Sequence, residues 1–186
     1  VRYSEPKLKI MGIEAVKSST PMPCRNAIKK ALKIMVTGTE EELISFIDSF
    51  KDEFDSLPPE DIAFPRSVNG LRKYKASGTV YTKGTPLHVR GTLLYNFYIA
   101  KNKLQYKYPL VQEGEKIKYL YLRRPNKLGN ENVLSFLNTF PKELGLEGHI
   151  DRDAQFKKAF LDPLRMITNV IGWETERVSN LEFLFA

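Results

Sequence analysis

The stretch Pro6-Lys-Leu-Lys-Ile-Met-Gly-Ile-Glu-Ala-Val-Lys-Ser-Ser-Thr-Pro21 predicts the first elements of the fold: a strand, a bend and the start of a helix. Lys7 and Lys9 alternate with two apolar residues, which predicts a half-buried strand with both ammonium groups on one face. Gly12 then allows a bend. The hydroxyl residues before Pro21 predict a capped helix with a proline in its first turn.

The end of this stretch also has the chemistry of an anion site. Free N–H groups at a helix N-terminus, next to Lys17, Ser18 and Ser19, suit a phosphate oxygen. An ordinary capped helix after a surface strand explains the same residues, because hydroxyl caps are common. The residues alone leave both interpretations open.

Two amphipathic helices are predicted after Pro21. The first has a basic outer stripe and ends at Gly38, and Thr39 with Glu42 forms a capping box for the second. Pro58-Pro59 ends the second helix. The short connection predicts an antiparallel helical hairpin. The apolar positions at helical spacing are Cys24, Ile28, Ala31, Leu32 and Met35 in the first helix, and Leu43, Ile47, Phe50 and Phe54 in the second.

The middle of the chain combines loops with a predicted hairpin. Residues 58–85 are rich in glycine, proline and polar side chains, so no firm element is predicted there. Thr85-Pro86 predicts the capped start of another helix. Leu104–Leu110 and Lys116–Leu122 are tyrosine-rich, alternate in polarity and flank Gly114, which predicts a β-hairpin. Their tyrosines either pack across the strands or stack on bases.

The last third is predicted to be helical. Residues 132–138 suggest a short helix, and Asp151 is placed to cap the last long helix, which Pro163 must kink or break. The chain as a whole predicts an α+β fold: mostly helical, with a helical hairpin, a long C-terminal helix, a small antiparallel β-hairpin and an N-terminal strand. The inward positions of the last helix are Phe156, Phe160, Leu164, Ile167 and Ile171.

Composition narrows the class of partner. The 186 residues are 42% hydrophobic, enough for a core, and the net charge of +7 favours nucleic acid over a membrane surface. The single cysteine, Cys24, excludes an internal disulfide and fits a reducing compartment. No apolar run approaches the ~20 residues of a membrane span, and no signal-peptide pattern precedes the first strand. We therefore expect a soluble intracellular protein, and the start at Val1 is consistent with a piece of a longer one.

The sequence offers no catalytic constellation. It has no glycine-rich phosphate loop and no supported Ser/His/Asp order, and Cys24, His88 and His149 do not form a metal-ligand pattern. A lone histidine such as His88 is typically a packing or hydrogen-bonding residue. We predict no catalytic residue, no metal site and no cofactor in this segment.

Several motifs resemble one family. Glu5–Glu14 and Lys17–Pro21 are similar to the end of the palm and the start of the thumb in family B replicative DNA polymerases, especially those of T-even-related bacteriophages. The thumb of those enzymes also has a His-apolar-Arg-Gly element, matched by His88–Gly91 after Lys83 and Pro86. Its Phe-x-Lys-x-Phe-x-x-Pro-Leu pattern is matched by Phe156–Leu164, although Asp162 stands where a basic residue often precedes the proline.

The resemblance covers nearly the whole chain as about the C-terminal fifth of a polymerase, without the catalytic aspartates. It implies the end of the palm in residues 1–20, a thumb in 21–173, and a tether with a clamp-binding peptide in 174–186. Its implied role is to grip primer-template duplex DNA, with Mg²⁺ bound elsewhere in the complete polymerase. The implied partners are the palm, fingers and exonuclease, in the same or another chain, and a sliding clamp, in the cytoplasm of an infected bacterial host.

The resemblance and the pattern of basic residues together assign two sets of contacts. A free-standing basic nucleic-acid-binding or adaptor module is the alternative function. The basic loop with Lys127 could equally be plain surface, and the apolar C-terminal tail could dock on its own domain. The DNA-binding candidates are Lys7, Lys9, Lys17, Ser18, Ser19, Lys83, Arg90, Lys127, Lys157 and Lys158, and the clamp-binding candidates are Leu181, Phe183, Leu184 and Phe185.

Overall fold

The computed structural model of the chain describes residues 17–177. The predicted strand with Lys7 and Lys9 and the C-terminal tail with Leu181, Phe183, Leu184 and Phe185 lie outside these residues. The predicted α+β class is confirmed, since helices surround one small antiparallel sheet. The elements are α1 Met22–Thr37, α2 Glu40–Ser56, α3 Pro59–Ile62, β1 Phe64–Ser67, α4 Leu71–Tyr74, α5 Leu87–Lys101, β2 Lys116–Tyr121, β3 Val133–Phe136, α6 Arg152–Phe156 and α7 Asp162–Ile171, with 3₁₀ turns at Lys142–Leu144 and Glu147–His149 and a π-helical turn at Lys157–Leu161.

The predicted helical hairpin is formed by α1 and α2, which pack against each other. Gly38 ends α1 as predicted. The capping box of α2 is also confirmed, because the Thr39 hydroxyl accepts from the Glu42 N–H at 3.2 Å and the Glu42 carboxylate accepts from the Thr39 N–H at 3.3 Å. Both helices bury their predicted apolar positions, except that Met35 is only half-buried.

The predicted hydroxyl caps of α1 and α5 are wrong. Pro21 and Pro86 occupy the N-cap positions, and no side chain caps either helix. Thr20 is buried instead, and the Thr85 hydroxyl donates to the carbonyl of Thr82 at 2.6 Å. The Thr85 hydroxyl is therefore committed to the preceding turn and does not cap α5.

The sheet has the order β1-β2-β3, so the central strand pairs with two segments that are distant in sequence. Phe64 lies opposite Tyr119, and Tyr119 lies opposite Ser135. The predicted strand over 104–110 is wrong, and the segment predicted as a helix over 132–138 contains β3. The unassigned region 58–85 contains α3, β1 and α4, with Pro65 tolerated because β1 is an edge strand.

An aromatic cluster joins the hairpin to the C-terminal helices. The ring centroids of Phe50 and Phe160 are 4.8 Å apart, and those of Phe54 and Phe156 are 5.2 Å apart. All four side chains are buried. This edge-to-face packing adds to the burial of large apolar surfaces and fixes α6 and the π-helical turn against α2.

At Pro163, where the sequence predicts a kink or a break, the helical backbone continues, because the residues at both ends of the π-helical turn have α-helical φ and ψ angles. The Asp151 carboxylate caps α6 by accepting from the Ala154 N–H at 3.0 Å, and α7 begins at Asp162 with Pro163 in its first turn. The intervening π-helical turn is the kind of local widening that accommodates a proline without an unpaired interior carbonyl. The predicted inward position of Ile171 is wrong: its side chain is 41% exposed, because α7 ends there at Gly172.

Glu143 ties the segment after α5 to the first 3₁₀ turn. Its carboxylate accepts from the Lys107 ammonium and from the Tyr108 hydroxyl, both at 2.5 Å. These hydrogen bonds, that of Lys107 foremost, lower the pKa of Glu143 from an ordinary 4.5 to about 2. A carboxyl group with a lowered folded-state pKa stabilises the fold above its ordinary pKa, and that contribution disappears as the pH falls toward the folded value.

We expect Glu143→Gln to change the acid sensitivity of stability. The urea midpoint of the unaltered chain should fall between pH 4.5 and pH 2 by more than that of the variant, because only the unaltered chain loses this carboxylate. Urea unfolding followed by circular dichroism at several pH values measures this difference. Glu147→Gln, at an exposed glutamate in the next turn, is the control and should keep the acid profile of the unaltered chain. Superimposable profiles for the chain and Glu143→Gln would contradict the role of this carboxylate.

Candidate nucleic-acid interface

One face of the sheet carries a row of aromatic rings, here called the tyrosine face and defined by Phe64, Tyr119 and Tyr121. Tyr119 and Tyr121 lie on the same side of β2 because side chains alternate along a strand. Their ring centroids are 6.3 Å apart, and that of Phe64 is 5.2 Å from Tyr119. The three side chains are half-buried, so cross-strand packing accounts for most of their surface while part of each ring stays accessible.

Positively charged side chains border the tyrosine face. The Lys158 ammonium lies 5.1 Å from the centroid of the Tyr121 ring, within cation–π range. Arg66, on β1, is close enough to Tyr119 for its charge to oppose the effect of burial, which raises the pKa of that phenol. Lys158 was a predicted phosphate contact, whereas Arg66 was missed because its segment had no assigned element.

His88, in the first turn of α5, meets the same face, with its ring centroid 6.4 Å from that of Tyr119. Burial first, and the charge of Arg66 second, lower the pKa of His88 below its ordinary 6.5. The imidazole is therefore neutral near pH 7 and contributes packing and hydrogen-bonding capacity rather than charge.

Arg90 is held in one orientation by its neighbours. Its Nη2 donates to the Asn132 Oδ1 at 2.6 Å, and its guanidinium carbon lies 5.8 Å from the centroid of the Tyr81 ring. The Tyr81 hydroxyl donates in turn to the Glu131 carboxylate at 2.6 Å. A guanidinium fixed in this way loses less conformational entropy when it binds an anion. Asn132 and Tyr81, the residues that hold it, had no distinguishing signal in the sequence.

Arg90 and Lys158 lie on the same side of the sheet and at the same end of it. Val133 pairs with Tyr121, whose ring lies under Lys158, and directly follows Asn132, which holds Arg90. Helix α5 covers the Val133 side of β3, where Gly91 approaches the strand. The register thus places each of the two predicted phosphate contacts next to the paired residues Tyr121 and Val133, although they are far apart in sequence.

Two more predicted residues belong to loops at this end. Lys83 is exposed two residues after Tyr81. Lys127 is exposed in the loop that leaves β2 and returns to β3, with its aliphatic stem beside Gly145. Both ammonium groups therefore face solvent on the loops that border Arg90.

The remaining predictions are not part of this group. The Lys157 ammonium pairs with Asp162 at 2.9 Å, so its charge is already partly neutralised. Lys17, Ser18 and Ser19 form an exposed turn before α1, where the N–H of Thr20 donates to the carbonyl of Lys17. Their contribution to a common surface with Arg90 stays a prediction.

Residues 17–177 offer no sign of a metal site, a reactive thiol or a membrane-spanning helix. That part of the chain has no group of three or more histidine, cysteine, aspartate or glutamate side chains placed to hold a metal ion. Cys24 is buried, and burial raises the pKa of its thiol to about 12. The helices found between residues 17 and 177 are all too short or too polar to cross a bilayer.

Comparison with known proteins shows that the chain is similar, over almost its whole length, to one segment of the DNA polymerases of two T-even-related bacteriophages, which confirms the resemblance seen in its motifs. It is 30% identical to the DNA-directed DNA polymerase of Enterobacteria phage T4 and 35% identical to that of Escherichia phage RB69. Each alignment has 187 positions and covers 99% of this chain and 20% of the relative. The chain thus spans about a fifth of the length of these relatives, and no family model matches it.

Proposed function

We propose that this chain is the thumb, with the end of the palm, of a phage DNA polymerase, and that it grips primer-template duplex DNA through its phosphates. The observation that carries the proposal is the joint position of Arg90 and Lys158 beside the tyrosine face. The net charge of +7 and the relation to the two phage polymerases support it. Phosphate contacts hold a duplex without reading its sequence, which suits a polymerase that must copy any template.

The proposed role is grip and processivity rather than bond formation. Nucleotidyl transfer needs carboxylates that hold two metal ions, and in this proposal they belong to other segments of the polymerase, with their Mg²⁺. The remaining partners are the palm, fingers and exonuclease, in the same or a separate chain, and the place of action is the cytoplasm of an infected bacterium. The boundaries at residues 20 and 173 remain part of the proposal.

Arg90→Ala should weaken binding to a duplex with a recessed primer end by about tenfold, because a charge-assisted hydrogen bond to phosphate is lost. Fluorescence anisotropy with a labelled primer-template of fixed sequence measures the dissociation constant. Circular dichroism establishes that the variant is folded. Arg177→Ala is the matched control, since Arg177 pairs with Glu41 and Asp48 on the acidic helix α2 and should not contact DNA.

The salt dependence of the same assay is a second readout. If four to six cations contact phosphates, the affinity should fall with salt at a log–log slope of about −4 to −5. Arg90→Ala should make this slope shallower by roughly one. An affinity for duplex DNA that does not change with salt, or that is the same for Arg90→Ala as for the unaltered chain, would contradict the proposal that this chain binds DNA through its phosphates.

Deletion of residues 181–186 should abolish binding to the phage sliding clamp and leave duplex binding unchanged. The tail Leu181-Glu-Phe-Leu-Phe-Ala186 offers several large apolar side chains, and a few such anchors supply most of the energy of a peptide interface. Surface plasmon resonance with immobilised clamp measures the interaction, and Arg90→Ala should retain it. Clamp binding that survives the deletion would refute the assignment of Leu181, Phe183, Leu184 and Phe185.

A further inference from the structure

A second surface feature lies along the C-terminal half of α5. It is a groove of about 990 Å³ between α4, α5 and the segment that follows α5, here called the α4–α5 groove. Leu71, Leu93, Leu110 and Val111 line it, and Phe97 stands in it with 44% of its side chain exposed. Exposed large apolar residues grouped in a concavity mark binding surfaces more often than isolated ones do.

The rim of this groove is basic. Arg72, Lys75 and Lys101 border it, all exposed, and the charged group of none of them lies within 4.0 Å of a carboxylate oxygen of residues 17–177. Lys101 lies over Phe97, with its ammonium 5.8 Å from the ring centroid. The three cations therefore border the apolar floor, and within the described part of the chain none of them forms an ion pair.

Glu113 is the one carboxylate that lines the groove among residues 17–177, and backbone N–H groups already donate to it. Glu113 accepts from the N–H of Gly70 through one oxygen and from the N–H of Arg72 at 3.4 Å through the other. These two hydrogen bonds join the start of α4 to the segment after α5. The charge left for a ligand in the α4–α5 groove is positive.

We propose that the α4–α5 groove binds a short acidic peptide segment of a partner protein, with a leucine or phenylalanine side chain beside Phe97 and carboxylates at Arg72, Lys75 and Lys101. The length fits such a segment: from Leu93 to Lys101 the helix rises ~12 Å, which an extended peptide of about four residues matches. The floor is mainly aliphatic rather than aromatic, which favours a peptide side chain over stacked bases.

This site is separate from the proposed DNA contacts, because it uses the C-terminal half of α5 whereas His88 and Arg90 lie in the first turn. The two proposals can therefore fail independently. Arg90→Ala should weaken duplex binding and leave peptide binding intact, and a groove variant should do the reverse.

A random octapeptide library displayed on yeast, sorted against the full 186-residue chain, tests the proposal. Peptides that combine aspartate or glutamate with leucine or phenylalanine should be enriched, because they complement both the floor and the rim. The strongest of them is then synthesised with fluorescein and measured by anisotropy. Enrichment of basic or uncharged polar peptides, or of none, would overturn the proposal.

Phe97→Ser and Lys101→Glu should each weaken this peptide by about tenfold or more, since they remove an anchor or reverse a rim charge. Met166→Ser and Lys29→Glu are matched controls at exposed positions outside the groove and should leave the affinity unchanged. Equal losses in the controls would overturn the proposal. So would weaker binding of a labelled dT octamer to Lys101→Glu, which would assign the groove to single-stranded DNA.

Deletion of residues 181–186 distinguishes two possible occupants of the α4–α5 groove: a peptide of another protein and the C-terminal tail of this chain. The peptide affinity should not change in the deleted chain if the occupant comes from another protein. An affinity that rises on deletion would assign the α4–α5 groove to this chain's own C-terminal tail, and the proposal of a partner would fail.

Discussion

Gly91→Val should lower the free energy of unfolding by about 3 kcal/mol, because α5 and β3 pack at this position with no room for a side chain. A Cβ added at Gly91 would lie 2.5 Å from the Ser135 Oγ, 2.9 Å from the Ser135 backbone N and 3.1 Å from the Val133 Cγ2. A hydroxyl can rotate away, but the backbone nitrogen of a buried strand cannot. The helix or the strand must therefore move, with a loss of packing along the whole contact.

The matched control for this substitution is Ala100→Val. It introduces the same side chain into the same helix at an exposed position, where the lower helix propensity of valine costs less than about 1 kcal/mol. Urea unfolding followed by circular dichroism gives both free energies. A cost at Gly91 no larger than that at Ala100 would mean that the close approach of α5 to β3 does not exist in solution.

The first half of the fold is predictable because its signals are local. Thr39 and Glu42 reach each other across one helical turn, and Gly38 and Pro58 end their helices without help from distant residues. The apolar spacing of α1 and α2 predicts the buried positions because each helix buries a single face. Each of these features can be predicted without knowing which other element of the fold the helix packs against.

The sheet could not be predicted in the same way, because its pairing is not local. β2 joins β1, about fifty residues earlier, and β3, and nothing within β2 specifies either. The four residues of β3 are all buried, so the strand lacks the alternation of a half-exposed one and is indistinguishable from a helical segment. Pro65 made β1 resemble a loop, although a proline is compatible with an edge.

The candidate interface likewise has a part that local motifs predict and a part that depends on strand pairing. Arg90 and Lys158 were identified from local motifs, since each stands in a pattern of a few residues. Their meeting at one end of the tyrosine face depends on the pairing of Tyr121 with Val133 and on Asn132, which no local pattern indicates. Arg66 was missed for the same reason, because its place beside His88 and Tyr119 comes from the β1–β2 register.

Gln155→Leu should lower the free energy of unfolding by about 2–6 kcal/mol. Gln155 is fully buried, and its amide nitrogen donates to the Ile62 carbonyl at 2.7 Å while its amide oxygen accepts from the Tyr121 N–H at 3.2 Å. Leucine preserves the volume but leaves both backbone groups unpaired, at about 1–3 kcal/mol each. The side chain thus connects α6 to the end of α3 and to β2, the strand that carries the tyrosine face.

The control is Gln105→Leu at an exposed glutamine, which should stay within about 0.5 kcal/mol of the unaltered chain. Gln155→Leu also has a consequence at the proposed interface, because Gln155 fixes the backbone of Tyr121 and α6 leads into Lys158. Its folded fraction should therefore bind duplex DNA more weakly than the unaltered chain. A variant as stable as the chain itself would mean that water or a rearranged backbone satisfies both groups, and that the coupling of α6 to β2 rests on apolar packing alone.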